Sequence, residues 1–458
     1  MHLRPLSALL LSSLVVPSSL VSQADWTQLN PTTIPGVRSG HHTASDFASL
    51  WLFGGRPQPG NFFIVDTWRY TGNQWTQIKP TTSPAGRIQG AMVFDLARGR
   101  LVLFGGSGPA GKINDTWEFV SGNWTQVKTT AAPSARWRHG MVYDQKRRQV
   151  VLFGGFDTAY NGETWLYDGK NWTQAKPTSS PSARTDAAMA YNPDTGETIL
   201  FGGITAGLSK VVNDTWKWDG VNWTQITTPA SPPPSRNLPM TYDRLRQRMV
   251  VFGGLAPTVV NTTWEFDGKT WLQRKTTKAP SPRSGTRVVY IDALQKSLLF
   301  GGYHPTAKQL GDFWSYQTDK PASYKVSGSG CKGSAGVPAL RATGRPWTGD
   351  TLTLEVGSVP ASAPVLVSIG ISKTIWSGLK LPLPLGFLGA PGCSLRCDVL
   401  LALPAANKQG VARLVLPLPA NPFLATASFY NQAIVRDPGA NRLGYALSNL
   451  GEARAGIR

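Results

Sequence analysis

Apolar and polar positions alternate in short runs of four or five residues along much of the chain. Gly140-Met141-Val142-Tyr143 and Gln149-Val150-Val151-Leu152-Phe153 flank a charged turn, and Thr164-Trp165-Leu166-Tyr167 and Trp172-Thr173-Gln174 flank Asp168-Gly169. A period of two over so few residues, bounded by turn formers, predicts β-strands. Asp-Gly between two such runs predicts a two-residue hairpin, so these four runs form one antiparallel unit.

That unit recurs. Phe-Gly-Gly stands at Phe53, Phe104, Phe153, Phe201, Phe252 and Phe300, with spacings of 51, 49, 48, 51 and 48 residues. A Trp follows Thr or Phe at Trp68, Trp117, Trp165, Trp216, Trp264 and Trp314. Trp-x-Gln appears at Trp26, Trp75, Trp124, Trp172, Trp223 and Trp271. Six four-stranded units in fixed order predict a six-bladed β-propeller. The last unit has no Trp-x-Gln after it, while the first Trp-x-Gln precedes the first Phe-Gly-Gly. Residues 25 to 29 are therefore expected to complete the last blade, removing an open sheet edge.

A double Gly after a hydrophobic strand, then an aromatic, then Trp, resembles the kelch repeat, and the likeness covers residues 25 to about 320. It implies a kelch propeller and leaves function open, because the fold hosts enzymes and binding proteins alike. The expected organisation is a signal peptide at 1–24, the propeller at 25–320, a linker at 321–326 and a second module at 327–458.

The signal peptide is read from His2 and Arg4, the apolar stretch Leu6 to Val16, and the small-residue cleavage pattern Ser22-Gln23-Ala24. A stretch this short does not span a bilayer. A secreted product, extracellular or periplasmic and without a transmembrane anchor, is expected. In the C-terminal part, Thr351–Val356, Val365–Ile369, Ala412–Leu416, Ala427–Tyr430 and Gln432–Val435 read as strands, no helical period stands out, and a β-sandwich-like module is expected. The whole chain is thus all-β. The module resembles a β-rich unit at the end of secreted bacterial proteins, through Gly328-Ser329-Gly330-Cys331 and Gly389-Ala390-Pro391-Gly392-Cys393. The resemblance implies a Cys331–Cys393 disulfide; from the residues alone a Cys331–Cys397 bridge stays open. Cys393-x-x-x-Cys397 by itself is no zinc site, so neither a metal nor a cofactor is expected.

Composition adds charge. Lys plus Arg is 46 against 26 Asp plus Glu, a net +20, with 32 basic and 21 acidic residues in 25–323 and 13 and 5 beyond. The excess is spread over both parts. Nucleic acid is not expected as partner, given export and no recognition module. Anionic glycans or protein surfaces fit better.

Six arginines recur just before the first strand of each unit: Arg38, Arg87, Arg136, Arg184, Arg236 and Arg283, 15 to 17 residues ahead of the Phe of Phe-Gly-Gly. Innermost strands start at a mouth of the central channel, so this ring predicts a binding surface for an acidic partner. Kelch proteins frequently carry Arg here, and in some these arginines engage acidic partners. The competing reading has each Arg bridging neighbouring blades through carbonyls. Trp137 is the candidate for ligand stacking, and His139, matched by His41, for the channel wall. Arg98, Arg100, Lys146, Arg147, Arg148, Arg244, Arg246 and Arg248 make the opposite turns basic, where charge commonly serves solubility. The leading expectation is a monomeric, non-catalytic binding protein. The alternative is a lyase or other sugar-processing enzyme with a His/Arg/Tyr acid–base site at the same mouth.

Overall fold

A computed structural model describes residues 24–57, 62–205, 210–318, 321–421 and 424–457. The expected signal peptide lies outside the described residues, except for Ala24. Two compact units divide at Gln317, residues 24–317 and residues 318 onward.

The first unit is a six-bladed propeller of four-stranded antiparallel sheets. Blade three shows the pattern: Gly140–Asp144, Gln149–Phe153, Thr164–Tyr167 and Trp172–Ala175, in that order from the centre outward. Asp25–Leu29 pairs antiparallel with Phe313–Gln317 and is the outer strand of blade six, as expected. Joining the two ends of the propeller in one sheet leaves no open seam.

The core lies between blades. One cluster joins Val93, Val102 and Phe104 of blade two to Met141, Val150, Leu152 and Trp172 of blade three. Equivalent clusters fill the other junctions. The outer-strand Trp residues explain why the series repeats: Trp26, Trp75, Trp124, Trp172, Trp223 and Trp271 are at most 3 % exposed. Five of them donate Nε1–H to a Thr hydroxyl of the preceding blade, for example Trp124 to Thr67 and Trp172 to Thr116, at 2.9–3.0 Å. At the closing junction Phe313 stands where the other blades have Thr, and Trp75 Nε1 has no partner among the described residues. There, edge-to-face and tilted contacts of Phe313 with Tyr70 and Trp75 replace the hydrogen bond.

Phe-Gly-Gly is fixed by close backbone approach. Gly154 has φ +74°, and a Cβ there would sit 2.6 Å from the Arg184 carbonyl oxygen. The next residue, Gly155, donates its N–H to that carbonyl at 2.9 Å. No other residue type combines this φ with that approach.

In the second unit, eight strands form one sheet that curls until its ends meet: Ser323–Ser327, Tyr445–Arg454, Ser428–Arg436, Val365–Gly370, Leu401–Lys408, Val411–Pro417, Thr351–Gly357 and Ala339–Thr343. The expected sandwich is thus refined to a barrel-like sheet. Leu401–Lys408 pairs with Val365–Ile369 through its first half and with Val411–Arg413 through its second, so one strand turns the corner that two separate sheets would leave open. Across the remaining gap, Asn449 bonds the N–H and carbonyl of Leu340 at 2.7 and 3.0 Å. Ser323–Ser327, in the stretch expected as a linker, is one of the eight strands. The Cys331–Cys393 disulfide is present, and Cys397 is a buried free thiol beside the Ser368 hydroxyl. Helix among the described residues is limited to short turns such as Gly386–Leu388.

Candidate binding site at the central channel

Five of the six periodic arginines face inward. Arg38, Arg87, Arg136, Arg184 and Arg283 are 0–2 % exposed. Arg184 shows their geometry: Nη1 donates to the Gly202 carbonyl at 3.0 Å, and the guanidinium grips Asp214 with two bonds of 2.6 and 2.9 Å. Arg38 holds Asp66, Arg87 Asp115, Arg136 Glu163, and Arg283 Asp312 in the same way. The carboxylate also accepts Nε1–H of the inner-series Trp two residues on, such as Trp216 at 2.7 Å. Meanwhile the arginine's own carbonyl accepts the Gly N–H of the preceding blade. Each of these five residues ties two blades together while its guanidinium is buried and held by a carboxylate. That arrangement fits the competing reading, blade bridging, better than a binding ring.

Arg236 belongs to a different position. Ser235 carries the carbonyl that receives the Gly203 N–H, at 2.8 Å, so Ser235 is the blade-five counterpart of the buried arginines. Thr262 replaces the acid, and Trp264 Nε1 has no partner among the described residues. Spacing alone does not show this difference: Arg236 lies 16 residues before Phe252, but the buried Arg38 lies 15 before Phe53 and the other four lie 17 before theirs.

Two residues beyond the arginine position the chain forms a second ring, which the periodic analysis missed. Gly40, Gln89, Arg138, Asp186, Asn237 and Gly285 all have φ between 54° and 66°. Each donates its N–H to the carbonyl of its neighbour in the preceding blade, at 2.6–3.3 Å, and the sixth bond closes the circle. Gly, Asn and Asp at a fixed repeat position are the signal of this left-handed backbone.

The ring divides the channel. On the side of the arginine segments it opens into a mouth cavity of about 420 Å³, lined by Arg56, Ile88, Trp137, Arg138, Tyr303 and Gln309 among others. Arg138 stacks on Trp137 at 4.2 Å and donates to the Asp186 carboxylate at 3.4 Å and to Gln89 Oε1 at 3.1 Å. Arg236 reaches the same Asp186 at 3.7 Å and is 29 % exposed. Burial pushes the Asp186 carboxyl up from its ordinary value, against the pull of Arg138, Arg236 and Arg287. Trp137 lines the mouth, with one face occupied by Arg138.

His139 is not on the mouth. It packs between blades against Phe104 with ring centroids 5.6 Å apart, and His41 repeats this against Phe300. Burial, reinforced by neighbouring arginine charge, pushes His139 down to about 3, so it stays neutral at physiological pH. Among the described residues lining the mouth there is no histidine, while His139 lines the channel beneath the ring. Among the described residues no group of three His, Cys, Asp or Glu side chains could hold a metal ion.

The opposite turns are basic in sequence and largely paired in space. Arg98 and Arg100 share Glu118, Arg147 bonds Asp144, Arg248 bonds Asp267, and Arg246 is fully buried between Asp243 and Glu265.

Two family models match the chain. One, described as the KLHDC2/KLHL20/DRC7 Kelch-repeats domain, covers residues 119–277. The other, described as the Attractin/LZTR1 beta-propeller, covers residues 15–168. No curated protein matches the chain.

Proposed function

Starting from a chain that carries a six-bladed kelch-repeat β-propeller, a fold suited to protein interaction, we propose that it is a non-catalytic binding protein recognising an anionic segment at the channel mouth. The observation that carries this reading is the charge balance around the ring: Arg138 and Arg236 share one carboxylate, Asp186, at 3.4 and 3.7 Å, and Arg138 stacks on Trp137. Both arginines are about one-third exposed, so donors not held by Asp186 can turn to a ligand carboxylate. The low dielectric of the channel walls strengthens such a contact.

Secretion belongs to the same proposal. A disulfide between Cys331 and Cys393 suits an oxidising compartment, and no helix among the described residues is long and apolar enough to cross a membrane. The N-terminal apolar stretch supplies the export signal.

Binding of acidic peptides and acidic polysaccharides, with neutral counterparts as controls, tests the reading on the wild type and on Arg138→Ala/Arg236→Ala. Affinity for the acidic set is expected to fall at least tenfold in the double variant, and to weaken with salt in the wild type. Equal affinity in the two proteins would remove the mouth as the site. Polysaccharide binding without peptide binding would make the partner a glycan.

A further inference from the structure

Below the ring, the channel continues as a chamber of about 290 Å³ between the innermost strands. Its far end is crossed by one side chain. Arg244 of blade five stacks on Phe47 of blade one at 4.9 Å, bonds Asp292 of blade six at 3.3 Å, and donates to Gln145 of blade three at 2.9 Å. Four blades therefore meet at this guanidinium, and the chamber lies between it and the backbone ring.

The chamber wall is mostly small. Ala91, Gly140 and Ala188 stand opposite the Phe of Phe-Gly-Gly in their blades, and His42 in the same row is turned away, held by the Gly90 N–H and the Phe53 carbonyl. The blade-six residue in that row is Arg287. Its guanidinium enters the space the small residues leave. It donates to the Thr286 carbonyl at 3.1 Å and forms no ion pair among the described residues. Arg287 lines the chamber, and its charge acts on His41 and His42 of blade one, His139 of blade three and Asp186 of blade four. A cation taken out of bulk water needs a counter-charge. Among the described residues lining the chamber the carboxylates are Asp186, which Arg138 and Arg236 already share, and Asp292, which Arg244 holds.

We infer that the chamber is a binding site for one small anion, of halide or single-carboxylate size, held by Arg287 beneath the ring. The site is separate from the mouth and does not depend on the proposed partner. An anion there would neutralise Arg287 and brace the six innermost strands from within. The backbone ring on one side and Arg244 on the other narrow the chamber's two ends.

Bromide is the probe. Crystals of the full chain grown in bromide and measured at the bromine absorption edge should show an anomalous peak at the Arg287 guanidinium. In solution, replacing gluconate by bromide at constant ionic strength should raise the thermal midpoint by roughly 5 °C at a hundredfold excess over the dissociation constant. Arg287→Gln should lose that rise. Peaks confined to the outer surface, or an equal rise in Arg287→Gln, would overturn the inference. Should Arg287→Gln not fold, the wild-type peak decides alone. Acidic-peptide binding is a separate readout, so failure of the chamber and failure of the mouth are told apart.

Discussion

Two sets of arginines lie only one or two residues apart in the repeat and do opposite things. Arg184 is 1 % exposed and gripped by Asp214 through two short bonds. Arg138 and Arg236 are about one-third exposed and reach a shared Asp186 at 3.4 and 3.7 Å. The first set follows the period of the fold; the second departs from it. The lesson is that periodicity marks what every blade needs in order to pack, while the residues free to act are those at which the blades differ. Blade five makes the point in reverse: with Ser235 and Thr262 it lacks both halves of the pinned pair, and the small cavity of about 100 Å³ that remains is lined by Ser235, Thr262 and Trp264.

Breaking the pinned framework should have the largest effects. Deleting residues 25–29 removes the outer strand of blade six together with the buried Trp26. Cooperative unfolding of the propeller should be lost, since the aromatic alone is worth about 3–5 kcal/mol. A sharp calorimetric transition at the wild-type temperature would contradict ring closure by this strand.

Arg184→Ala comes next. It strands the partly buried Asp214, whose carboxyl is pulled up by burial and held below its ordinary value by Arg184. A loss of about 3 kcal/mol is expected in urea denaturation. A midpoint shift equal to that of an exposed surface substitution would return Arg184 to the pool of ligand-binding residues.

Acid reads the same framework through its histidines. Burial, with arginine charge adding to it, pushes His42 and His139 down to about 3. In the unfolded chain they titrate near 6.5, so between those values the unfolded state binds more protons. Stability contributed by the neutral imidazoles is complete above about pH 6.5 and falls as the pH drops, by about 1.4 kcal/mol per pH unit for each histidine. His139→Phe should flatten the stability profile between pH 6 and 4. An unchanged slope would show that acid acts elsewhere.

The contrast is sharpened by building rather than breaking. Ser235→Arg with Thr262→Asp would install the missing pair in blade five and give Trp264 Nε1 an acceptor. A gain of about 1 kcal/mol is expected, whereas Ser235→Arg alone should destabilise by burying a cation without its acid. If both variants behave alike, the acid is not what makes the buried arginine tolerable.

Much of this was legible in the sequence. Six copies of Phe-Gly-Gly and two Trp series defined the blades, and the unpaired Trp26 defined the closure. The period placed the arginines correctly but not their direction, because spacing reports position along a strand and not the partner a side chain finds. That partner was nevertheless visible: Asp66, Asp115, Glu163, Asp214 and Asp312 each stand two residues before the inner-series Trp, and the blade that lacks the acid also lacks the Arg. Arg138 and Arg287 gave no periodic signal, since each occurs at its position in one blade. In the second unit, individual strands were readable, whereas the curling of the sheet was not, because it depends on Leu401–Lys408 serving two neighbours along its length.

The most direct measurement is the affinity of folded Arg138→Ala/Arg236→Ala for an oligoglutamate peptide, read alongside its urea midpoint. A separation of working from pinned arginines predicts at least tenfold weaker binding in a protein that still unfolds in one cooperative transition. Unchanged affinity, or loss of that transition, would contradict it.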